Sequence, residues 1–371
     1  MGIDERTTWV DVDLAAIAHN VQRARQITGT AVLAVVKANA YGHGAVPVAR
    51  ASLRGGASGL AVARLEEGLD LRQRGLQAPI LLLGYTPPAQ VESAVRHDLS
   101  LTVWTPAQVV HAARVAGQVG KRARLHLKVD TGMSRLGAPP DEAFTLAEQI
   151  AAEQNVAFEG VFTHFARADE SDPRPTDKQM QRFSGLLQRL EAAQLRPRWV
   201  HAANSAATLY RPDAHFDLVR LGIAMYGLHP SKEVPLPPDF RPALSWKSVL
   251  SHVKTVPPGS GISYGHRYIT TRHARIGTIP VGYADGLRRL DGNVVLVRGQ
   301  HVPVIGRVCM DQIMVQLDAV PQATVGDEVV LIGAQGDDRI TAEEVAEIWG
   351  TINYEVVCAI GARVPRLYAD G

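Results

Sequence analysis

In VLAVVKANAYGHG, residues 32–44, a lysine closes an apolar, β-branched run and glycines follow it. Val32 to Val36 carry no polar side chain, the pattern of a buried strand. Lys37 is therefore an amine at the edge of a dry region. Two roles fit such a lysine. Its ammonium can snorkel out to water, or it can be held partly dry with a depressed pKa, ready to form a Schiff base with a carbonyl. Other residues able to do chemistry recur at the same kind of place. Lys128, Asp130 and Arg135 flank the end of RLHLKVD, and His164 ends FEGVFTH. Asn204 and Ser205 follow RWVHAA, and Arg220 and Gly222 close FDLVRLG. A set of this kind, drawn from the ends of five apolar runs, is hard to read as solvated surface and favours chemistry at Lys37.

Eight strands are expected to position these groups: 32–37, 59–63, 79–84, 99–104, 124–130, 158–164, 198–203 and 216–222. Between them lie stretches such as TDKQMQRFSGLLQRLEAAQ, whose apolar residues recur at helical spacing. Eight β–α units in one domain predict an α/β fold, an N-terminal (β/α)8 TIM-type barrel over residues 10–240. Barrels gather active-site loops at the C-terminal strand ends, where the polar set falls. An open doubly wound sheet is the alternative, but no G-x-G-x-x-G follows the first strand. The Pro-rich EVPLPPDFRPALSW reads as a linker. Short β-branched segments with turns between them then predict a smaller all-β C-terminal domain, 241–371, ending in one helix, TAEEVAEIWG. The opening segment, with a strand over 1–9, could join either domain.

At 371 residues the chain exceeds the usual single-domain size. A net charge of +2, with both signs interspersed, excludes a nucleic-acid or polybasic membrane footprint. The charged N-terminus lacks the apolar region of a signal peptide, and no apolar run approaches the roughly 20 residues of a membrane span. Cys309 and Cys358 fit no metal spacing and read as reduced thiols of a cytoplasmic protein.

A barrel with a Schiff-base lysine and a phosphate-binding end suggests pyridoxal phosphate. Ser205 and the Arg-Leu-Gly-Ile turn at 220–223 follow strands seven and eight, where barrels often bind phosphate. Taken singly, NSAAT is also an ordinary helix N-cap, His164 a core histidine, and Tyr41 and Tyr354 packing aromatics. The stretch AVVKANAYGHG, however, is similar to the pyridoxal-phosphate attachment motif of alanine racemases. HLKVDTGMSRLG, THFA, HAANSAA, VRLGIAMYG, ISYG, PVGYADG, GRVCMDQIMV and TINYEVVCAIGARVPR resemble that family's other motifs, in its order, over nearly the whole chain. GLRR after GYADG and the residues around the ISYG tyrosine depart from the usual pattern.

The resemblance implies roles. Lys37 would carry pyridoxal 5'-phosphate and act as one of two bases, and Tyr264 of the partner subunit in a homodimer would be the other. Arg135 and the N–H of Met310 would hold the substrate carboxylate. Tyr41, Ser205, Gly222, Ile223 and Tyr354 would hold the phosphate, with Leu83 and Asn204 completing the cofactor-binding set. Arg220 would face the pyridine nitrogen, and His164 would link it to Tyr264. Lys128 resembles the lysine that many members carry as a carbamate; a plain ammonium paired with Asp130 is the other reading. The implied activity is the interconversion of L- and D-alanine, supplying D-alanine for peptidoglycan. Alternatives are a racemase of broader range, including serine, a decarboxylase on a similar architecture, and a non-catalytic carrier of the cofactor. The decarboxylase would normally have a carboxylate in place of Arg220, and the carrier would not need Tyr264 or Met310.

Overall fold

The structure, a computed structural model, describes residues 6–370, so the first five residues of the expected strand 1–9 lie outside it. The strand at this end is β1 (Thr8–Asp13). Among the described residues the chain divides into two compact units, one of residues 15–40 and 44–241, the other of the residues up to 14, 41–43 and those from 242 on. Residues 10–14 thus go with the β strands and not with the barrel, because β1 is paired along both edges.

The first unit is the barrel. Its strands are β2 (Ala31–Val35), β3 (Gly59–Val62), β4 (Ile80–Leu82), β5 (Leu99–Val103), β6 (Ala123–Lys128), β7 (Val156–Phe162), β8 (Trp199–His201) and β9 (Leu218–Leu221). They run parallel in the order β8-β7-β6-β5-β4-β3-β2-β9. Two backbone bonds close the ring, Asp217 N–H to Val200 O at 3.1 Å and Arg220 N–H to Ala203 O at 3.0 Å. All four residues of β3 are buried, as are all five of β5, as expected for a parallel sheet covered on both faces. The helices that follow the strands present buried apolar stripes. In Arg174–Ala192 the stripe is Met180, Phe183, Leu186, Leu187 and Leu190.

The second unit is all-β with two short helices. It holds β10 (Leu244–Val249), β11 (His252–Val256), β12 (Gly261–Ile262), β13 (Tyr268–Ile269), β14 (Ala274–Ile279), β15 (Val294–Val297), β16 (Gln300–Ile305), β17 (Ile313–Gln316), β18 (Glu328–Gln335), β19 (Asp338–Ile340) and β20 (Arg366–Ala369). The main sheet is ordered β11-β14-β17-β16-β15-β18-β10-β1-β20, with β19 added on β18. The expected helix is present as Ala342–Trp349, capped by Thr341, whose Oγ1 accepts the Glu344 N–H at 3.1 Å. A second helix, Asn353–Ala359, corrects the expectation of only one. Its NYEVVCA sequence is short and carries adjacent valines, so it reads as a strand until tertiary packing decides. Among the described residues no helix is long and apolar enough to cross a membrane. Neither cysteine is in a disulfide.

Candidate active site

Lys37 does not end the strand, as the apolar run suggested, but opens a turn two residues beyond β2. Ala38, Asn39, Ala40 and Tyr41 follow with φ of 52, 53, 52 and 52°, four successive left-handed residues without a glycine. That conformation costs L-residues about 1–2 kcal/mol each, less for Asn, so other groups must hold it. Glu67, at the start of the helix after β3, is the main one. Its Oε1 accepts the Ala38 N–H at 2.6 Å, and its Oε2 accepts those of Ala63 and Arg64 at 2.7 and 3.1 Å. Asn39 Oδ1 accepts the Ala45 N–H at 2.9 Å. The lysine is thereby presented by a strained, clamped backbone, an arrangement typical of functional positions.

Around His164 the barrel brings four predicted cations together. Burial first, then the charges of Arg220, Lys128, Arg135 and Lys37, keep the His164 imidazole well below the usual histidine range and hence neutral. Arg220 is 4% exposed. Its Nη2 donates to Thr163 O (2.9 Å), Ala202 O (2.8 Å) and His164 Nδ1 (3.1 Å), and its Nη1 to His201 Nδ1 at 2.8 Å. All these partners are neutral. Burial pushes Arg220 down to about 9, which still leaves it charged at neutral pH. Lys128 is equally enclosed, its Nζ 4.5 Å from the centre of the Phe162 ring. Burial, with the charges of Arg220 and Arg135, pushes its amine well below the lysine range, and Asp130 opposes them. The Asp130 carboxylate is spent on the loop itself, accepting the N–H groups of Gly132, Met133 and Ser134 at 2.9, 3.0 and 3.1 Å. Arg135 follows on that loop, exposed and with no ion-pair partner among the described residues.

At the other strand ends, Ser205 Oγ accepts the N–H groups of Gly222 (2.9 Å) and Ala224 (3.3 Å). Both bonds use oxygen lone pairs, so the hydroxyl proton remains for an anion. Ile223 opens the short 3-10 turn that follows Gly222. Asn204 is used as the N-cap, its Oδ1 accepting the Ala207 N–H at 3.1 Å. Leu83 lies half-buried just past β4, its N–H on Val62 O at 2.8 Å. The donor set fits a phosphorylated, anionic cofactor: buried cations without bonded carboxylates, a hydroxyl proton to give, and a lysine on the turn just past a strand.

In the second unit Tyr41 and Tyr354 pair, ring centroids 6.2 Å apart. Burial, with a smaller contribution from Cys358, pushes the Tyr41 phenol up, so it is a neutral donor. Gly42 admits no side chain there, since a Cβ would stand 2.3 Å from Val357 O. Tyr264 stands at the tip of the β12–β13 hairpin, 67% exposed. Ser263 before it has φ 63° and is tied by its Oγ to Arg307 O at 2.6 Å. Ile262, Ala274, Ile276 and Ile305 form the small core beneath. Met310, 53% exposed, lies on the neighbouring loop, where Ala284 N–H meets Met310 O at 3.0 Å. Gly282 permits that approach, because a Cβ there would stand 2.2 Å from Met310 O.

Sequence reading gave no role to Glu67, His201, or Gln179, whose Nε2 donates to His164 O at 3.0 Å and whose Oε1 accepts the Ala166 N–H at 2.9 Å. His201 lies within the HAANSAA motif, and that was the available signal.

Fold and site together define a barrel protein with a lysine on a clamped turn and a cationic seat that fits an anionic cofactor. Family models for the N-terminal domain of alanine racemase match residues 12–230, and for its C-terminal domain residues 243–368. An alanine racemase of Desulfovibrio desulfuricans is 45% identical over 370 residues, covering 99% of each chain. One of Symbiobacterium thermophilum is 47% identical over 366 residues, 98% of this chain and 97% of that one. Among solved structures, Clostridium difficile alanine racemase superposes with a TM-score of 0.94 at 40% identity, covering 98% and 96% of the two chains. The Bacillus anthracis alanine racemase with bound L-Ala-P gives 0.92 at 44%, covering 98% and 95%. The chain belongs to the alanine racemase family, whose members are pyridoxal-phosphate-dependent isomerases.

Proposed function

We propose that this chain interconverts L-alanine and D-alanine by two-base proton transfer at Cα, with pyridoxal 5'-phosphate held by Lys37. The observation that carries this reading is the neutral His164 in the field of Lys37, Lys128, Arg135 and Arg220, with Arg220 bonded only to neutral groups. Bound, the cofactor supplies an electron sink that acidifies the Cα proton. An arginine at its ring nitrogen leaves that nitrogen unprotonated and limits the sink, which suits a racemase more than a transaminase.

Ser205, Gly222, Ile223, Tyr41 and Tyr354 would hold the phosphate, with Leu83 and Asn204 beside the cofactor. Arg135 and the Met310 N–H would fix the substrate carboxylate. Proton transfer needs one base on each face. Tyr264 would take the Cα proton from L-alanine, and Lys37 would take it from D-alanine. Because arginine can only donate, His164 Nδ1 must accept from Arg220, and its proton resides on Nε2. That N–H would suit the Tyr264 oxygen where the tyrosine serves as the second base. The Lys128 amine, pushed well below the lysine range by burial, loses its proton more readily to attack carbon dioxide, and a carbamate there would place a negative charge among Arg135 and Arg220.

The exposed Tyr264, Met310 and Tyr283, the last 43% exposed, support a homodimer in which Tyr264 of the partner subunit completes each site. Acting in the cytoplasm, the enzyme would supply D-alanine for peptidoglycan. The pure protein should convert L-alanine to an equal mixture of enantiomers, with no carbon dioxide and only traces of pyruvate. Carbon dioxide release, or no inversion with cofactor present, overturns the reading.

A further inference from the structure

The barrel interior holds a row of polar groups that no step above uses. Starting from Arg220, Nη1 lies 2.8 Å from His201 Nδ1, and His201 Nε2 lies 3.0 Å from His126 Nδ1. His126 Nε2 is at ion-pair distance, 3.6 Å, from Glu159 Oε2, which also accepts the Ser100 hydroxyl at 2.6 Å. His201, His126 and Ser100 are 0%, 5% and 4% exposed. Glu159 is the fourth of the seven residues of β7, five residues before His164, and is partly open to solvent.

The position of His126 is built into the backbone. The β6–β7 register shifts between Leu125 and His126. The neighbour across the strand is Gly160, where a Cβ would stand 2.3 Å from His126 Nδ1 and 2.6 Å from its Cε1. Only glycine leaves room for the ring. Phe162 stacks flat on His201, centroids 4.6 Å apart at 6°, and fixes that ring as well.

The direction of the protons in the row is fixed from both ends: a guanidinium has no acceptor and a carboxylate has no donor. His201 Nδ1 must accept from Arg220, so His201 carries its proton on Nε2 and donates it to His126 Nδ1. His126 then carries its own proton on Nε2, facing the Glu159 carboxylate. Burial, then the charge of Arg220, holds His201 neutral. On Glu159 burial pushes the carboxyl up, but the His126 N–H and the Ser100 hydroxyl, with the charge of Arg124, outweigh it and keep the group ionised.

We propose that His201, His126 and Glu159 are positioning residues of the racemase reaction, a one-way row, hydrogen-bonded from Arg220 to His126 and ending beside the Glu159 carboxylate, that orients the His201 lone pair and so holds Arg220 against the cofactor's ring nitrogen. This rests on the reading of Arg220 given above. Without the carboxylate, His126 loses its reason to keep the proton on Nε2. The opposite tautomer would turn His201 Nδ1–H toward the guanidinium, donor against donor.

The test uses the holoenzyme labelled with 15N in its histidine rings, with L-alanine as substrate, and the variants His126→Phe, Glu159→Ala, Glu159→Gln and Arg220→Lys. In the parent, His201 should show a protonated Nε2 and a bare Nδ1. In His126→Phe and Glu159→Ala that pattern should give way to mixed tautomers. In both, kcat should fall about tenfold, the scale of one lost hydrogen bond. KM should stay within about twofold, because the row does not touch Arg135. Glu159→Gln keeps an oxygen for both donors and should recover at least half of the parent kcat. An unchanged His201 tautomer with kcat within twofold of the parent, in either folded variant, overturns the proposal. So does a Glu159→Gln enzyme no better than Glu159→Ala. If His126→Phe does not fold, Glu159→Ala carries the same expectations at the partly exposed end of the row. Arg220→Lys separates this from the parent reading. If Arg220 does not face the ring, that variant leaves the visible absorbance of the bound cofactor unchanged. Failure of the row alone leaves the Arg220→Lys change intact.

Discussion

Glu67→Ala removes the carboxylate that clamps the turn carrying Lys37. In the parent it holds the N–H groups of Ala38, Ala63 and Arg64. Left-handed Ala38, Ala40 and Tyr41 together store about 3–6 kcal/mol. A hydrogen bond to an ionised group returns about 1.5–3 kcal/mol, comparable to the strain in one or two of these residues. Losing it should let Ala38 leave the left-handed region and carry the lysine amine away from its place. The expected cost is roughly 10–100-fold in affinity for pyridoxal 5'-phosphate, read by absorbance titration of the cofactor-free protein. Glycine adopts positive φ without penalty, so adding Ala38→Gly should recover about 1 kcal/mol, roughly fivefold. Because Glu67 also steadies the start of its own helix, thermal unfolding of both variants should be followed alongside. Affinity within twofold of the parent in Glu67→Ala, or no recovery in the double variant, would refute the strain argument.

Three further outcomes are expected. His201 has a folded-state pKa well below its unfolded value of 6.5, so below about pH 6 the unfolded chain binds a proton that the folded one does not. Stability should therefore fall with acid by about 1.4 kcal/mol per pH unit more in the parent than in His201→Asn; equal urea midpoint shifts between pH 7 and 5 would contradict this. Arg220→Glu should raise pyruvate formed per inversion by roughly tenfold, since a carboxylate favours a protonated ring nitrogen and a stronger electron sink; an unchanged ratio would dismiss that role for Arg220. Lys37→Ala and Tyr264→Phe, each nearly inactive alone, should regain about a quarter of parental activity when co-expressed, because one site of each heterodimer is intact; a mixture as inactive as its parents, with heterodimers verified by two tags, would exclude a shared site.

Much of the barrel was readable because most of its strands are largely apolar and polar residues gather at or just past their C-terminal ends. Lys37, His164 and Arg220 stood out on that contrast alone. The left-handed turn did not, since in Ala-Asn-Ala-Tyr only the asparagine tolerates positive φ; the cause is a carboxylate 29 residues further on. Glu67 itself reads as part of a solvated helix start, RLEEGLDLRQ. His126 alternates with Leu125 and Leu127 and so looks like a polar residue facing out, while the fold turns it inward. Gly160 was the trace it left in the sequence, and a glycine inside a strand does not say which neighbour needs the space. Asn353–Ala359 was hidden by its adjacent valines. The β strands around Tyr264 were visible as a class, but their order depends on long-range pairing that short segments do not encode.

The central claim is that Lys37, and not the buried Lys128, holds the cofactor. Reducing the holoenzyme with borohydride fixes the cofactor covalently to whichever amine carries it, and peptide mass spectrometry then locates it. The account predicts a single pyridoxyl label on Lys37, loss of the near-visible band, and no label at Lys128. A label on Lys128 or any other lysine, with Lys37 unmodified, would contradict it.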